Sequence, residues 1–380
     1  MTQLQQLAVS ARGASKRLKF ISGWEAALVG ALFVIVVGFS IIVPGFSNGA
    51  GGLLQLTQYF LPFGFVAMGL AVVILSGGID LSVGSTAALS ALVMAQLWAM
   101  FGVNIWVASA IALVLGGMLG AINGLIVTRL KVEPLIATLS TSFIYGSIAT
   151  AVGGDAPPSG FPNSFNALGS GTIDPTGLIP WQLVLFAILA IAAALLIGHT
   201  GFGRKVVMIG YNVGVAQYSG ISVKRVLVGC YVISGFTAAL AGLVLAAYYS
   251  AARPAMGDPL LLSTLTMVAL GGVSIFGGAG TIIGVVLAVL VLGFLRQGLL
   301  FDGFSDMVTT MVTGVILLGS IAVKNAFLGQ GSLWSRLAAR LRGPLSRIAI
   351  RPSVDNGFAD AGARSQRGAR DEKRGKAKRG

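Results

Sequence analysis

Ten apolar runs follow one another between residues 24 and 323, and this succession constrains the chain more than any other feature. They cover 24–43, 56–75, 81–101, 104–128, 134–152, 181–198, 226–250, 258–275, 280–298 and 306–323. About 20 apolar residues in a helix cross the hydrocarbon core of a bilayer. Without water there, the backbone must satisfy its own hydrogen bonds, so an all-α bundle of about ten transmembrane helices is expected. The eighth run is short and ends in glycines, so it could be re-entrant. The two runs that flank 76–80 could instead be one broken helix. With 55% hydrophobic and 10% charged residues, an ordinary soluble domain is excluded.

Charge orients this bundle. Twenty-four of the 26 lysines and arginines fall in the N-terminal segment, the 129–133 and 199–225 loops, and the tail from Lys324 onward. Only Arg253 and Arg296 remain for the other face. Lys and Arg mark cytoplasmic loops, so both termini are expected in the cytoplasm of a multi-pass inner-membrane protein. Three parts follow: a basic tail over 1–23, a transmembrane region over 24–324, and a basic C-terminal tail over 325–380. The first run reads as a signal-anchor-like helix rather than a cleaved signal. In the C-terminal tail, 333–351 has amphipathic spacing suited to anionic lipid, and 352–380 is expected to be disordered. The net charge of +14 is explained by membrane orientation, and no nucleic-acid partner is expected.

One stretch inside the apolar region stands out: Leu75-Ser76-Gly77-Gly78-Ile79-Asp80-Leu81-Ser82-Val83-Gly84-Ser85. A charge at bilayer depth costs a few kcal/mol, which makes Asp80 a functional candidate by default. It could accept hydrogen bonds from a passing solute, or lock a broken helix by accepting from backbone N–H groups. Asn123, Thr138, Ser140, Thr141, Ser142, Ser263, Thr264 and Thr266 are further candidates to line a path, although hydrogen bonding between helices suits each of them singly. Gly77-Gly78-Ile79-Asp80-Leu81 is echoed by Gly271-Gly272-Val273-Ser274-Ile275, which makes Ser274 a counterpart candidate.

Two loops bear on partners. On the cytoplasmic side, Asn212 is a candidate N-cap, Gly220 a C-terminal glycine, and Val213, Ala216 and Tyr218 an exposed apolar side. Such a short helix fits a groove on a soluble subunit, or rests on headgroups. On the outer side, 153–180 holds no Lys or Arg and forms the longest loop, while Arg253, Asp258, Arg296, Asp302 and Asp306 make a small mixed-charge set.

Catalytic and nucleotide motifs are absent from the chain. No Gly-x-x-x-x-Gly-Lys-Ser/Thr phosphate loop occurs, so the Leu75-Ser76-Gly77-Gly78 match to an ATPase signature is coincidence. One cysteine (Cys230) and one histidine (His199) leave neither a disulfide framework nor a histidine metal cluster. The chain is therefore expected to be neither an enzyme nor a metal binder.

Five segments in order resemble the permease subunits of ribose-type monosaccharide ABC importers, over about residues 25–325. They are Gly77-Gly78-Ile79-Asp80-Leu81-Ser82-Val83-Gly84, Lys131-Val132-x-Pro134-x-Ile136-x-Thr138-Leu139, Gly210-x-Asn212 through Ala216 to Ser219-Gly220-Ile221, Pro254-x-x-Gly257, and Leu270-Gly271-Gly272-x-Ser274-x-Phe276-Gly277-Gly278. Related permeases for branched-chain amino acids tend to Asn at the position of Asp80, which favours a sugar. Two departures lie toward the outer face. Gly257-Asp258-Pro259-Leu260-Leu261-Leu262-Ser263 lacks the family's acidic pair, and Arg296-Gln297-Gly298 replaces Arg-Asn-Gly.

The resemblance implies a fold like that of the vitamin B12 importer's permease and the import of a monosaccharide or related polyol. It implies a second permease subunit, a periplasmic sugar-binding protein, and a cytoplasmic ATPase with tandem nucleotide domains that binds the ATP and Mg. Gly77, Gly78, Asp80, Ser82, Ser85, Asn123, Thr138 and Ser274 then become candidates for path or gate. Gly210, Asn212, Ala216, Ser219, Gly220 and Ile221 become candidates for ATPase coupling. Arg253 and Arg296 become candidates for docking the binding protein. The competing reading is a stand-alone secondary transporter or channel with Asp80 as a proton or ion site.

Overall fold

The computed structural model describes residues 23–47 and 49–328. The basic segment before Gly23 and the amphipathic and glycine-arginine stretches of the tail lie outside the described residues. The described part is helical, with two isolated bridges and no strand among the described residues. In order come α1 (Gly23–Ile42), α2 (Gly49–Leu56), α3 (Leu61–Leu75), α4 (Val83–Ala99), α5 (Ile105–Leu125) and α6 (Pro134–Gly153). They are followed by α7 (Asn163–Ser170), α8 (Trp181–His199), α9 (Gly201–Tyr211) and α10 (Val213–Tyr218). The last four are α11 (Val223–Tyr249), α12 (Leu260–Leu270), α13 (Ile282–Phe301) and α14 (Asp306–Leu328).

Each of the ten expected runs carries helix. Six helices are long and apolar enough to cross a membrane, and the 61° bent pair of Gly51–Tyr59 with Leu61–Leu75 would make a seventh. The remaining runs are shorter apolar helices: Val83–Ala99, Pro254–Leu270 and Asp306–Ile316. Phe33 on α1, Phe143 on α6 and Ile191 on α8 are each more than half exposed. An apolar belt of this kind is stable facing lipid and is a liability in water.

The core forms around α11, which packs along α3, α4 and α5. Glycines set how close α5 comes. A Cβ at Gly120 would sit 2.0 Å from the Tyr231 carbonyl oxygen, and one at Gly235 would sit 2.1 Å from that of Gly116. Small residues at every fourth position let two backbones touch where lipid gives no hydrophobic drive for association. α3 contributes the driest part of the core, buried from Leu61 to Leu75 without a break.

The segment between α6 and α8 is more structured than a long loop suggests. It contains α7, which packs on α11, and it bridges Thr172 to Pro180 and Ser159 to Ala251. Asp174 pins its tip by accepting from the Thr176 hydroxyl and from the Ile179 and Leu178 N–H groups, at 2.7 and 3.0 Å for the last two. These bonds, that of Thr176 foremost, hold its carboxyl down at about 2.

Candidate functional site

α3 ends because its sequence changes from a continuous apolar run to Ser76-Gly77-Gly78. Gly77 adopts φ +85°, open to glycine at little cost, and its N–H bonds the Ile74 carbonyl at 2.9 Å. The Gly78 N–H bonds Val73 at 3.1 Å, closing the double bond pattern that commonly ends helices at a left-handed glycine. The chain then runs unwound through Ile79, Asp80 and Leu81 before α4 begins at Val83. The two flanking runs are thus separate helices joined by an irregular, buried connection, which membranes tolerate only inside protein.

Asp80 is 1% exposed and fully engaged. Oδ1 accepts from the Ser82 backbone N–H at 3.0 Å and from the Ser82 hydroxyl at 2.7 Å. Oδ2 accepts from the Ser234 hydroxyl on α11 at 2.8 Å. The Asn123 amide on α5 donates to Ser82 Oγ at 2.7 Å, and the Tyr145 hydroxyl on α6 donates to Asn123 Oδ1 at 3.3 Å. Thr138 and Tyr231 donate to the Ile79 carbonyl at 3.2 and 3.4 Å. Ser85 pairs with Ser142 at 3.1 Å. A seven-residue break is thereby tied to α5, α6 and α11 at once.

Its depth follows from α6. Thr138 and Ser142 lie four and eight residues from the first residue of that helix, Pro134. At 1.5 Å per residue this places the break about 6–12 Å inside the bundle, measured from the end where α6 starts. Past the break, Gly84 meets Gly257, where a Cβ on either would lie within 2.5 Å of the other's carbonyl oxygen.

Most of the residues expected at this site come together, and one does not. Asp80, Ser82, Ser85, Asn123 and Thr138 share the network or its rim, and Gly78 closes it under the Tyr231 hydroxyl. Ser274 does not join: its N–H bonds the Ala279 carbonyl at 2.8 Å within a separate loop. The echo between the two motifs holds in the backbone, displaced by one residue. Ser76, Gly77 and Gly78 bond back to Val72, Ile74 and Val73, and Gly271, Gly272 and Val273 bond back to Met267, Ala269 and Val268 in the same way. Gly77 and Gly272 share φ near +85°, so the structural counterpart of Asp80 is Ile275 and not Ser274. Ser234, Tyr145 and Tyr231 escaped sequence reasoning. The signal for Ser234 was a small hydroxyl beside Gly235 within an apolar helix.

The coupling-loop candidates form α10 as expected. Asn212 Oδ1 accepts from the Val215 N–H at 3.0 Å, and Gly220 with φ +76° ends the helix through an Ile221 N–H to Ala216 carbonyl bond of 3.1 Å. Ser219 bonds back to the Val215 carbonyl. The expected exposed face is corrected at Ala216, which is fully buried and holds α10 to the bundle. Tyr211, Val213, Val215 and Tyr218 are the exposed apolar residues, Tyr218 at 97%. Residues on a helix repeat every 3.6 positions, so with Ala216 inward, 215 and 218 fall to the outer side, while Val213 is exposed as the first residue of the helix.

Gly210 is not on that exposed face. A Cβ there would lie 2.0 Å from the Leu75 carbonyl oxygen and 2.5 Å from the Gly278 nitrogen. The Gly278 N–H in turn bonds the Leu75 carbonyl at 3.0 Å, and a Cβ on Gly277 would reach Gly77 N at 2.7 Å. Two glycine turns, from the Asp80 break and the α12–α13 loop, thus meet the last turn of α9 backbone to backbone, just before α10 begins.

At the opposite end of α3, Arg296 is ion-paired with Asp306 and lies 5.3 Å from the Phe63 ring centroid. Arg253 is exposed.

A dry helical bundle with a lipid-facing apolar belt and a buried polar break is that of a polytopic membrane protein. Residues 52–321 match the family described as the permease component of branched-chain amino acid transport systems, and the chain belongs to it. It is 36% identical, over 85% of its length and 98% of theirs, to proteins named autoinducer 2 import system permease protein LsrD from Escherichia coli K12, Shigella flexneri and Escherichia coli O157:H7. No solved structure matches significantly.

Proposed function

We propose that the chain is the membrane permease subunit of an ATP-driven ABC importer that carries a monosaccharide or related polyol inward, with autoinducer 2 as the first compound to test. The observation that carries this reading is the identity to import permeases over almost their whole length, joined to the five ribose-type motifs. The stand-alone transporter has less support, because an ion site needs a reachable carboxylate and Asp80 is 1% exposed with its oxygens occupied.

In this reading the shorter helices α4, α12 and α14 complete a ten-crossing bundle of the vitamin B12 importer type, with both termini cytoplasmic. A second permease subunit completes the pathway. The cytoplasmic ATPase, with tandem domains, binds ATP and Mg and takes the exposed side of α10. A periplasmic binding protein docks on the opposite end near Arg253. Asp80 serves as the lock of the α3–α4 connection: its carboxylate does for the unwound backbone what a helical bond would do, Ser234 holds it to α11, and Asn123 holds its partner Ser82 to α5. Movement of α10 reaches this lock through Gly210, which touches the Leu75 carbonyl and the Gly278 turn without any intervening side chain. A backbone contact has little slack, so it transmits displacement better than flexible side chains do.

Uptake of labelled autoinducer 2 and of ribose should be measured in proteoliposomes that contain the chain, its partner permease and the ATPase, with the binding protein added. ATP-dependent accumulation of either compound supports the reading. Accumulation on a proton gradient without ATP sinks it. Tyr218→Asp, on the exposed face of α10, should reduce ATPase co-purification, whereas Asp80→Asn should leave assembly intact and slow uptake.

A further inference from the structure

Between the Tyr59–Phe63 end of α3, the last turn of α11, the 251–260 segment and the end of α13 lies a cavity of about 610 Å³. That falls within the about 300–1,000 Å³ of small-molecule sites. It opens at the end of the bundle opposite α10. The two segments that carry departures from the ribose-type pattern, 257–263 and 296–298, both contribute to its wall although they are far apart in sequence. Gln297, itself a departing position, lines it beside Arg296, and Pro259 and Leu260 line it next to Leu261, where one of the acidic residues is missing. The lining combines flat aromatic faces with hydrogen-bond donors: Tyr59, Phe63 and Tyr249 beside Arg253, Arg296 and Gln297. No carboxylate among the described residues lines it. Arg296 is held in place by its ion pair to Asp306 and by the Phe63 ring, so its guanidinium is oriented before any ligand arrives. Arg296 and Phe63 also wall a separate crevice of about 10 Å³ bounded by Ser263 and Met267, too small to hold a sugar.

We infer that this cavity is the receiving site for the imported sugar as it leaves the binding protein, and that Arg296, Gln297 and Tyr249 select it. The inference deepens the import reading and rests on it. Aromatic faces stack on the apolar C–H side of a sugar ring or chain. Guanidinium and amide donors take up carbonyl and hydroxyl oxygens as acceptors. With donors and no carboxylate, the site favours a ligand rich in oxygen acceptors over one that must donate from many hydroxyls. This moves Arg296 from the docking surface to the ligand and leaves docking to the exposed Arg253.

Two measurements test it, both on the full assembly. In the first, Gln297→Leu and Tyr249→Ala should each lower ATP-driven uptake of autoinducer 2 at least tenfold and change its ratio to ribose uptake. The binding-protein concentration that half-saturates ATPase stimulation should stay unchanged. If stimulation shifts in parallel with uptake, these residues dock the binding protein and the assignment is overturned. In the second, Cys230→Ser combined with Ala255→Cys, at an exposed residue of the cavity wall outside the three selecting side chains, gives this chain a single thiol for a membrane-impermeant maleimide. Labelling from the binding-protein side should slow at least fivefold with millimolar autoinducer 2, and less with ribose. An unchanged rate with both compounds overturns the cavity. Wild-type assembly that fails to take up either compound on ATP would fault the import reading by itself, since the labelling experiment decides the cavity without turnover.

Discussion

The two helix exits at Gly77 and Gly272 leave their helices through the same bonds and the same positive φ, yet they lead to opposite outcomes. After Gly77 the chain turns inward, and Asp80 and Ser82 are sealed among α5, α6 and α11. After Gly272 it turns outward, and Phe276 ends 90% exposed. The backbone turn is therefore a generic device, and the side chains three residues later decide where it goes. A carboxylate that can accept from Ser82 and Ser234 is stable inside. Ile275, at the corresponding position, offers the unwound chain no acceptor, so its loop closes locally through Ser274 and Ala279 instead. The two exits still touch through the Gly278 N–H to Leu75 carbonyl bond, with Gly210 lying against both.

Gly210→Val should have the largest effect. It forces the two exits apart, and ATP-driven uptake should fall at least tenfold while the ATPase remains bound. Uptake near the wild-type rate would show that the junction does not couple them. Asp80→Leu comes next: it strands the Ser82 N–H and the Ser234 hydroxyl, and thermal unfolding in detergent should reveal a loss on the order of 3 kcal/mol. Ile275→Asp should not recover it. Gly77→Ala and Gly272→Ala should each cost about 1–2 kcal/mol, because both place a Cβ at positive φ. Unequal losses would mean that packing outweighs backbone conformation at one exit. Phe276→Ser should be the mildest, within about 0.5 kcal/mol, as an exposed residue away from buried features. A larger stability loss would place that loop against something in the assembly.

The apolar runs and the glycine-marked ends were legible along the chain. Lipid demands about 20 uninterrupted apolar residues, and Asn212 and Gly220 cap their helix through bonds within a few residues of themselves. Asp80 could be singled out for the same reason, since a charge between apolar runs is conspicuous wherever it ends up. Its role could not be read. That depended on Ser234, 154 residues away, and on Asn123 on a third helix. The inward face of Ala216, the one-residue displacement of the echo, and the union of Pro259–Leu260 with Arg296–Gln297 around one cavity were likewise decided by packing. Sequence determined which segments are dry and where they stop, because those are local consequences of composition and turn chemistry. Tertiary structure decided which stops meet, because contact between distant backbones depends on the missing Cβ atoms of glycines that look alike in the sequence.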